Sequence, residues 1–325
     1  MEIRIATSVM FQTGLMVFLA ACQPTLPQQK VDITSLPASL NLVVLGNVQD
    51  AGSPHIGCEK DCCKELFLHP DPNRKVVSLG VIDTTHQQKW IFDATPDLPT
   101  QMDNLNKLSP FRSQKTPDGI FLTHAHIGHY AGLMFLGKEG LGASGVPVYA
   151  MPRMKNYLEN NGPWDQLTVL ENISINKMQE DSAYQLSSSL SVKPFLVPHR
   201  DEYSETVGYL ISGPSKSALF IPDIDKWNTW EKDIQEEIKK VDFAFLDATF
   251  YNQAEIPHRD MAEIPHPFIV ESMELFKDLP PEEKQKVYFI HLNHTNPALV
   301  EGSEASLLIK QNGYQVARKG MMFGL

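Results

Sequence analysis

Three histidines fall within six residues in Thr123-His124-Ala125-His126-Ile127-Gly128-His129, immediately after the apolar stretch 119–122. Imidazole nitrogens are common metal ligands, and a strand-to-helix turn lets alternate side chains converge on one point. Three other apolar stretches end in the same manner: Phe195-Leu-Val-Pro-His199, Phe220-Ile-Pro-Asp223 and Val287-Tyr-Phe-Ile-His291. A lone histidine is more often packed or solvated than a ligand. Four such strand ends in succession point instead to a metal centre. Two metals about 3.5 to 4 Å apart can hold a bridging hydroxide at neutral pH and polarise a substrate oxygen, with no protein nucleophile. That chemistry is hydrolysis, and its leaving group needs a proton. His266, in Glu263-Ile-Pro-His-Pro267, is the candidate general acid, although a histidine flanked by prolines at a helix start reads equally well. Arg200 and Arg259 could hold an anionic substrate or form surface ion pairs. Asp93 and Asp247 suit the orienting of histidines better than direct ligation.

A second cluster consists of Cys58, Cys62 and Cys63. Three thiols lacking one partner suit a structural zinc of the Cys3His type. One disulfide plus a free thiol is the alternative, but adjacent Cys62 and Cys63 are poorly placed to bridge each other. The segment Gly46-Asn-Val-Gln-Asp-Ala-Gly52 follows a strand without the spacing of a dinucleotide or phosphate loop. A Gly-x-Ser-x-Gly elbow is absent from the sequence.

Short apolar runs predict strands at 42–45, 76–82, 90–92, 119–122, 146–149, 190–197, 207–211, 218–221, 243–246 and 287–290. Helices are expected after His129 and at 152–159, 227–239, 268–276 and 304–311. Strands come first in pairs and then alternate with helices, which suits sheets covered by outer helices. The 325 residues are 42% hydrophobic and 21% charged, as in ordinary globular chains. A net charge of -11 argues against a duplex nucleic-acid partner held by phosphate contacts. No linker or repeat divides residues 40–325, which read as one domain. Residues 1–21 read as a signal peptide, since Ile5 to Ala21 is nearly free of charge and ends in Leu19-Ala-Ala-Cys22, which resembles the lipobox of bacterial lipoproteins. A plain secretory signal or an N-terminal membrane helix is the alternative. The lipobox implies an exported, lipid-anchored protein facing the periplasm or cell exterior, with 22–39 as its tether. Cys22→Ser should then move the protein from membrane to soluble fractions, and continued membrane retention would contradict the anchor.

The order His-x-His-x-x-His, His, Asp, His resembles that of the metallo-β-lactamase superfamily, which implies an α/β fold of the αββα sandwich type. By that resemblance His124, His126 and His199 hold a first metal, His129 and His291 a second, and Asp223 bridges the two. Gly128 departs from the usual motif, which has an aspartate ligand there. Asp225 or Asp247 could compensate only if the backbone brings them close. Val44-Leu-Gly46, the cysteine cluster, Asp93-Ala-Thr-Pro-Asp97, Leu246-Asp-Ala-Thr-Phe250, Arg259-Asp-Met261 and Phe289-Ile-His-Leu-Asn-His-Thr-Asn-Pro297 are similar to pyrroloquinoline quinone (PQQ) biosynthesis protein B. That branch is related to cyclic phosphodiesterases of phosphonate metabolism, where a histidine three residues past the last active-site histidine completes the cysteine site. His294 stands at that position here. The resemblance implies a metal-dependent hydrolase that turns a metal-bound hydroxide on a small ester or phosphodiester. Two divalent metals are expected, zinc first with manganese or iron also compatible, together with one structural zinc. The alternative is an iron-dependent oxygenase, or a role in PQQ biosynthesis or transport.

Overall fold

The computed structural model describes residues 36–111 and 115–325. The expected signal segment, Cys22 and most of the expected tether therefore lie outside the described residues. Successive apolar runs form β1 (Leu40–Gly46), β2 (Ser78–Asp83), β3 (Gln88–Phe92), β4 (Gly119–Phe121), β5 (Val146–Ala150) and β6 (Ile173–Lys177), adjacent in that order in one sheet. A second sheet holds β7 (Tyr184–Gln185), β8 (Ser191–Leu196), β9 (Val207–Ser212), β10 (Ser217–Ile221), β11 (Phe243–Asp247), β12 (Val287–Ile290) and β13 (Gln315–Val316). The chain then returns as β14 (Met322–Gly324), antiparallel to β1, at the edge of the first sheet. Each sheet begins antiparallel and continues parallel, from β3 onward in the first and from β10 onward in the second.

Alternation along the strands decides what each face meets, because neighbouring side chains point to opposite sides of a sheet. Leu42 and Val44 of β1 join Phe92 and Phe121 on the inner face, against Tyr209, Phe220 and Phe245 of the second sheet. Val43 and Leu45 point the other way, into a layer with Leu98, Leu105, Met154 and Leu158 from the helices Leu98–Leu108 and Pro152–Asn160. On the far side Leu219, Leu246 and Phe289 pack under Ile238, Ile269 and Ile309 of three further helices. The layers run helix, sheet, sheet, helix, which is the αββα sandwich expected.

Each run expected to be a strand is one, although β6, β7, β13 and β14 and the helices Asp61–Leu68, Leu98–Leu108 and Trp164–Val169 were not foreseen. The single helix expected over 227–239 is instead a 3-10 turn, Trp227–Thr229, and a short helix, Ile234–Lys239. The cause is local. The Trp227 indole donates to Ser272 Oγ at 2.9 Å and the Trp230 indole to the Leu196 carbonyl at 2.9 Å, so the two rings are tied to different elements. Asp233 then caps a new helix by accepting from the Gln235 N–H at 2.8 Å.

The carboxyl ends of β4, β8, β10, β11 and β12 converge at one end of the sandwich. The Val207 N–H donates to the Thr123 carbonyl at 3.1 Å, which ties the first sheet to the second there. The loop after β1 is bound into the same end: Leu292 N–H donates to Asn47 and Gln49 N–H to Leu292, each at 2.8 Å.

Candidate metal centre

Asp223 sits at the middle of the convergence, 3% exposed. Its Oδ2 lies 3.3 Å from His124 Nε2, 3.8 Å from both His126 Nδ1 and His129 Nε2, and 3.9 Å from His291 Nε2. Its Oδ1 lies 3.2 Å from His199 Nε2 and 3.1 Å from His266 Nδ1. The donor atoms of His124, His126, His199 and Asp223 are all within 4.8 Å of one another. The same holds for Asp223, Asp247, His266 and His291, and for Asp50, His129 and His291.

The far nitrogens of His124, His129, His199 and His291 are fixed by partners, which sets the atom each presents to the centre. Thr123 Oγ1 meets His124 Nδ1 at 2.9 Å, Asp93 Oδ2 meets His129 Nδ1 at 2.8 Å, and Asp225 Oδ1 meets His199 Nδ1 at 3.0 Å. Thr249 Oγ1 meets His291 Nδ1 at 2.9 Å, and that hydroxyl donates to Asp247. Asp93 also accepts from the Thr123 amide and hydroxyl, so one carboxylate positions both ends of the His124–His129 turn. Asp93 and His291 hold left-handed backbone, φ 66° and 63°, an arrangement costly for non-glycine residues and typical of functional sites.

The Nε2 atoms of His124, His129 and His291 are buried without a hydrogen-bond partner. Buried polar atoms are ordinarily satisfied, so three converging orphans fit a cation better than packing alone. Burial and the neighbouring His129 push His124 well below the usual histidine range. Burial opposes charge on Asp223, yet His266, His199 and His291 hold its carboxyl well below the ordinary carboxylate range. A neutral imidazole and an ionised carboxylate are the ligating forms. His129 is held at about 9 against its burial by Asp93, Asp50 and Asp223, so a cation bound there displaces a proton.

The cysteine cluster forms a separate donor set. Cys58, Cys62 and Cys63 are free thiols, and their sulfurs and a His294 ring nitrogen lie within 4.8 Å of one another. Cys62 and Cys63 fall in the first turn of the helix Asp61–Leu68, and His55 donates its N–H to Cys63 Sγ at 3.3 Å. Burial and the neighbouring thiols push Cys62 up to about 12, while burial, His55 and Lys60 bring His294 down to about 4. A disulfide is not formed by these three residues.

The family model of the beta-lactamase superfamily domain matches residues 89–292, which span every histidine of the central cluster. The chain belongs to that superfamily. Coenzyme PQQ synthesis protein B of Methylorubrum extorquens (strain PA1) is 21% identical over 307 residues, covering 88% of this chain and 100% of that protein. The solved structure of Zn2+-bound PqqB from Methylobacterium extorquens superposes with a TM-score of 0.72 at 20% identity, over 88% of this chain and 100% of the other. A diphosphatase of the PhnP family gives 0.61 at 22% identity, over 88% and 98%. These likenesses are to the fold: two mixed sheets with outer helices, of the metallo-β-lactamase type.

Within that fold the residues singled out in the sequence divide into two groups. His124, His126, His129, His199, Asp223, His266 and His291 meet, with Asp93 and Asp247 against their rings. Asp247 Oδ2 is 2.9 Å from His266 Nδ1 and accepts from the Ile224 N–H at 3.1 Å. Arg200 and Arg259 are exposed, 3.7 Å from Glu202 and 3.8 Å from Glu263, and Glu202 Oε2 in turn lies 3.5 Å from His126 Nε2. Neither Asp225 nor Asp247 takes the place of a side chain at Gly128, because each is occupied with a histidine ring. Asp50 takes it instead. A Cβ built on Gly128 would lie 1.7 Å from Asp50 Cβ. Asp50 was missed because the 46–52 segment has no familiar loop spacing; its one signal was an acid just past a strand end. Thr123, Thr249 and Asp225 were also missed as ring-orienting groups, although each stands within two residues of a histidine or aspartate that was noted.

Proposed function

We propose that this protein is a two-metal hydrolase of small esters or phosphodiesters, in a branch resembling PQQ biosynthesis protein B. The observation that carries this reading is Asp223, whose two oxygens face imidazoles on both sides of the centre. His124, His126 and His199 would hold one metal, His129 and His291 the other, with Asp223 between them. Zinc suits this donor set, and manganese or iron is compatible with it. Bound there, two divalent cations supply a deprotonated water near neutral pH and positive charge for the developing oxyanion.

The protein's own groups supply position and a proton. Asp93, Thr123, Asp225 and Thr249 hold the rings so that the presented nitrogens need no rearrangement. His266 Nδ1 is engaged by Asp247 and Asp223, which leaves Nε2 to protonate the departing oxygen. Water adds to the electrophilic carbon or phosphorus, the bond to the leaving oxygen breaks, and that oxygen takes the His266 proton. The diphosphatase named among the structural neighbours supports a phosphoryl ester among the substrates.

Alignment with PQQ synthesis protein B over 88% of the chain favours a second reading, an iron-dependent oxygenase or a PQQ-associated role. An anaerobic screen of chromogenic phosphodiesters and esters separates the two. Turnover without oxygen is expected; an iron-loaded protein that turns over only once oxygen is admitted would overturn the hydrolase. His266→Gln should lower turnover about 10²-fold on alkyl leaving groups and far less on a nitrophenolate, which needs little protonation. An equal loss on both would remove the general-acid role.

A further inference from the structure

The second half of the centre has an anomaly in its own turn. Gly128, directly before His129, leaves that turn without a carboxylate, and no side chain fits at this position: an added Cβ would meet Asp50 Cβ at 1.7 Å, its Cα at 2.5 Å and its carbonyl carbon at 2.9 Å. The contact joins residues 78 positions apart in the sequence. Asp50 therefore sends its side chain from almost the point where one at 128 would begin. Its carboxylate lies within 4.8 Å of the ring nitrogens of His129 and His291.

The Asp50 loop is held where it is. Val48 forms bridges to both Val76 and Leu292, and Gln49 N–H donates to the Leu292 carbonyl at 2.8 Å, one residue from His291. The Gln49 side-chain amide donates to Asp50 Oδ1, and Gly52, with φ 83°, turns the chain back through an N–H donated to the Gln49 carbonyl at 2.9 Å. Glycine at 128 and aspartate at 50 make one arrangement: the first admits the backbone that carries the second.

We propose that Asp50 is a ligand of the second metal, supplied from the loop after β1 in place of a side chain on the His129 turn, so that His129, His291, Asp223 and Asp50 form a complete donor set for a divalent cation. The proposal rests on the two-metal reading above. It also makes the second site depend on the docking of the 47–52 loop, so its occupancy is set by an element outside the histidine turns.

The test is metal counting on the intact protein reconstituted with zinc and, separately, with cobalt. Asp50→Asn, which keeps shape and removes charge, should lose one metal equivalent per chain while the cobalt–thiolate absorption of the cysteine site stays, showing that the fold is retained. Asp50→Cys in the cobalt protein should gain additional thiolate-to-cobalt absorption over wild type, which Asp50→Ser should not show. An unchanged count in Asp50→Asn, or no added absorption in Asp50→Cys, would overturn the assignment. A wild-type protein holding only the thiolate-bound metal would instead overturn the two-metal reading itself.

Discussion

Asp223→Asn is expected to strip metal from both halves of the centre and to lower kcat/KM by about 10²-fold or more, because the stabilisation at stake is several kcal/mol. The expectation follows from position. Asp223 belongs both to the donor group with His124, His126 and His199 and to the group with His266 and His291. The substitution keeps the volume but removes the one charge that all these rings face. The five histidine ligands and an amide can still coordinate weakly, so the loss should appear as reduced affinity in both sites. Measuring metal content by mass spectrometry after dialysis, beside turnover, checks this. Retention of two tightly held central metals in the variant would show that Asp223 does not join them.

The other large effect is structural. Cys63→Ala should remove one metal per chain and lower the melting temperature by roughly 5 to 15 °C. A bound metal at 10² to 10³ times its Kd contributes about 3 to 4 kcal/mol. Each kcal/mol is worth about 2 to 4 °C in a domain somewhat smaller than this one. Cys63 is fully buried, and its cluster closes the loop between β1 and β2 onto His294, three residues past His291. The His55 ring adds to this contact, 4.4 Å from that of His294. Burial and the neighbouring thiols push Cys62 and Cys63 up, whereas hydrogen bonds from those two thiols and the Lys60 backbone bring Cys58 down, so without a cation the cluster shares its protons unevenly. A cation reverses that balance. Unchanged metal content and melting temperature in Cys63→Ala would mean that the cluster is only a packed group of thiols.

Much of this architecture is legible in the chain because the strands that carry the ligands are buried on both faces. Val287-Tyr-Phe-Ile and Phe243-Ala-Phe-Leu read as continuous apolar runs, and the first polar residue after each marks the strand end. His124, His199, Asp223 and His291 all stand within three residues of such strand ends. The parts that were not legible depend on tertiary contacts. Asp50 is recognisable as a functional residue only once its Cβ is seen to fill the space over Gly128. The break between Trp227–Thr229 and Ile234–Lys239 is set by hydrogen bonds from two indoles to Ser272 and Leu196, which no local periodicity encodes. β14 has three residues and owes its pairing to β1, at the other end of the chain. Arg200 and Arg259 form the exposed ion pairs with Glu202 and Glu263 that were one of the two readings of their sequence.

The most direct test of the account is the metal stoichiometry of the purified wild-type protein, measured by elemental analysis after removal of loosely bound ions. Three divalent metals per chain are predicted: two at the histidine–aspartate centre and one at the cysteine–histidine site. A protein that takes up a single metal, lost entirely in Cys63→Ala, would contradict the central claim, because the histidines around Asp223 would then be a packed cluster and not a catalytic centre.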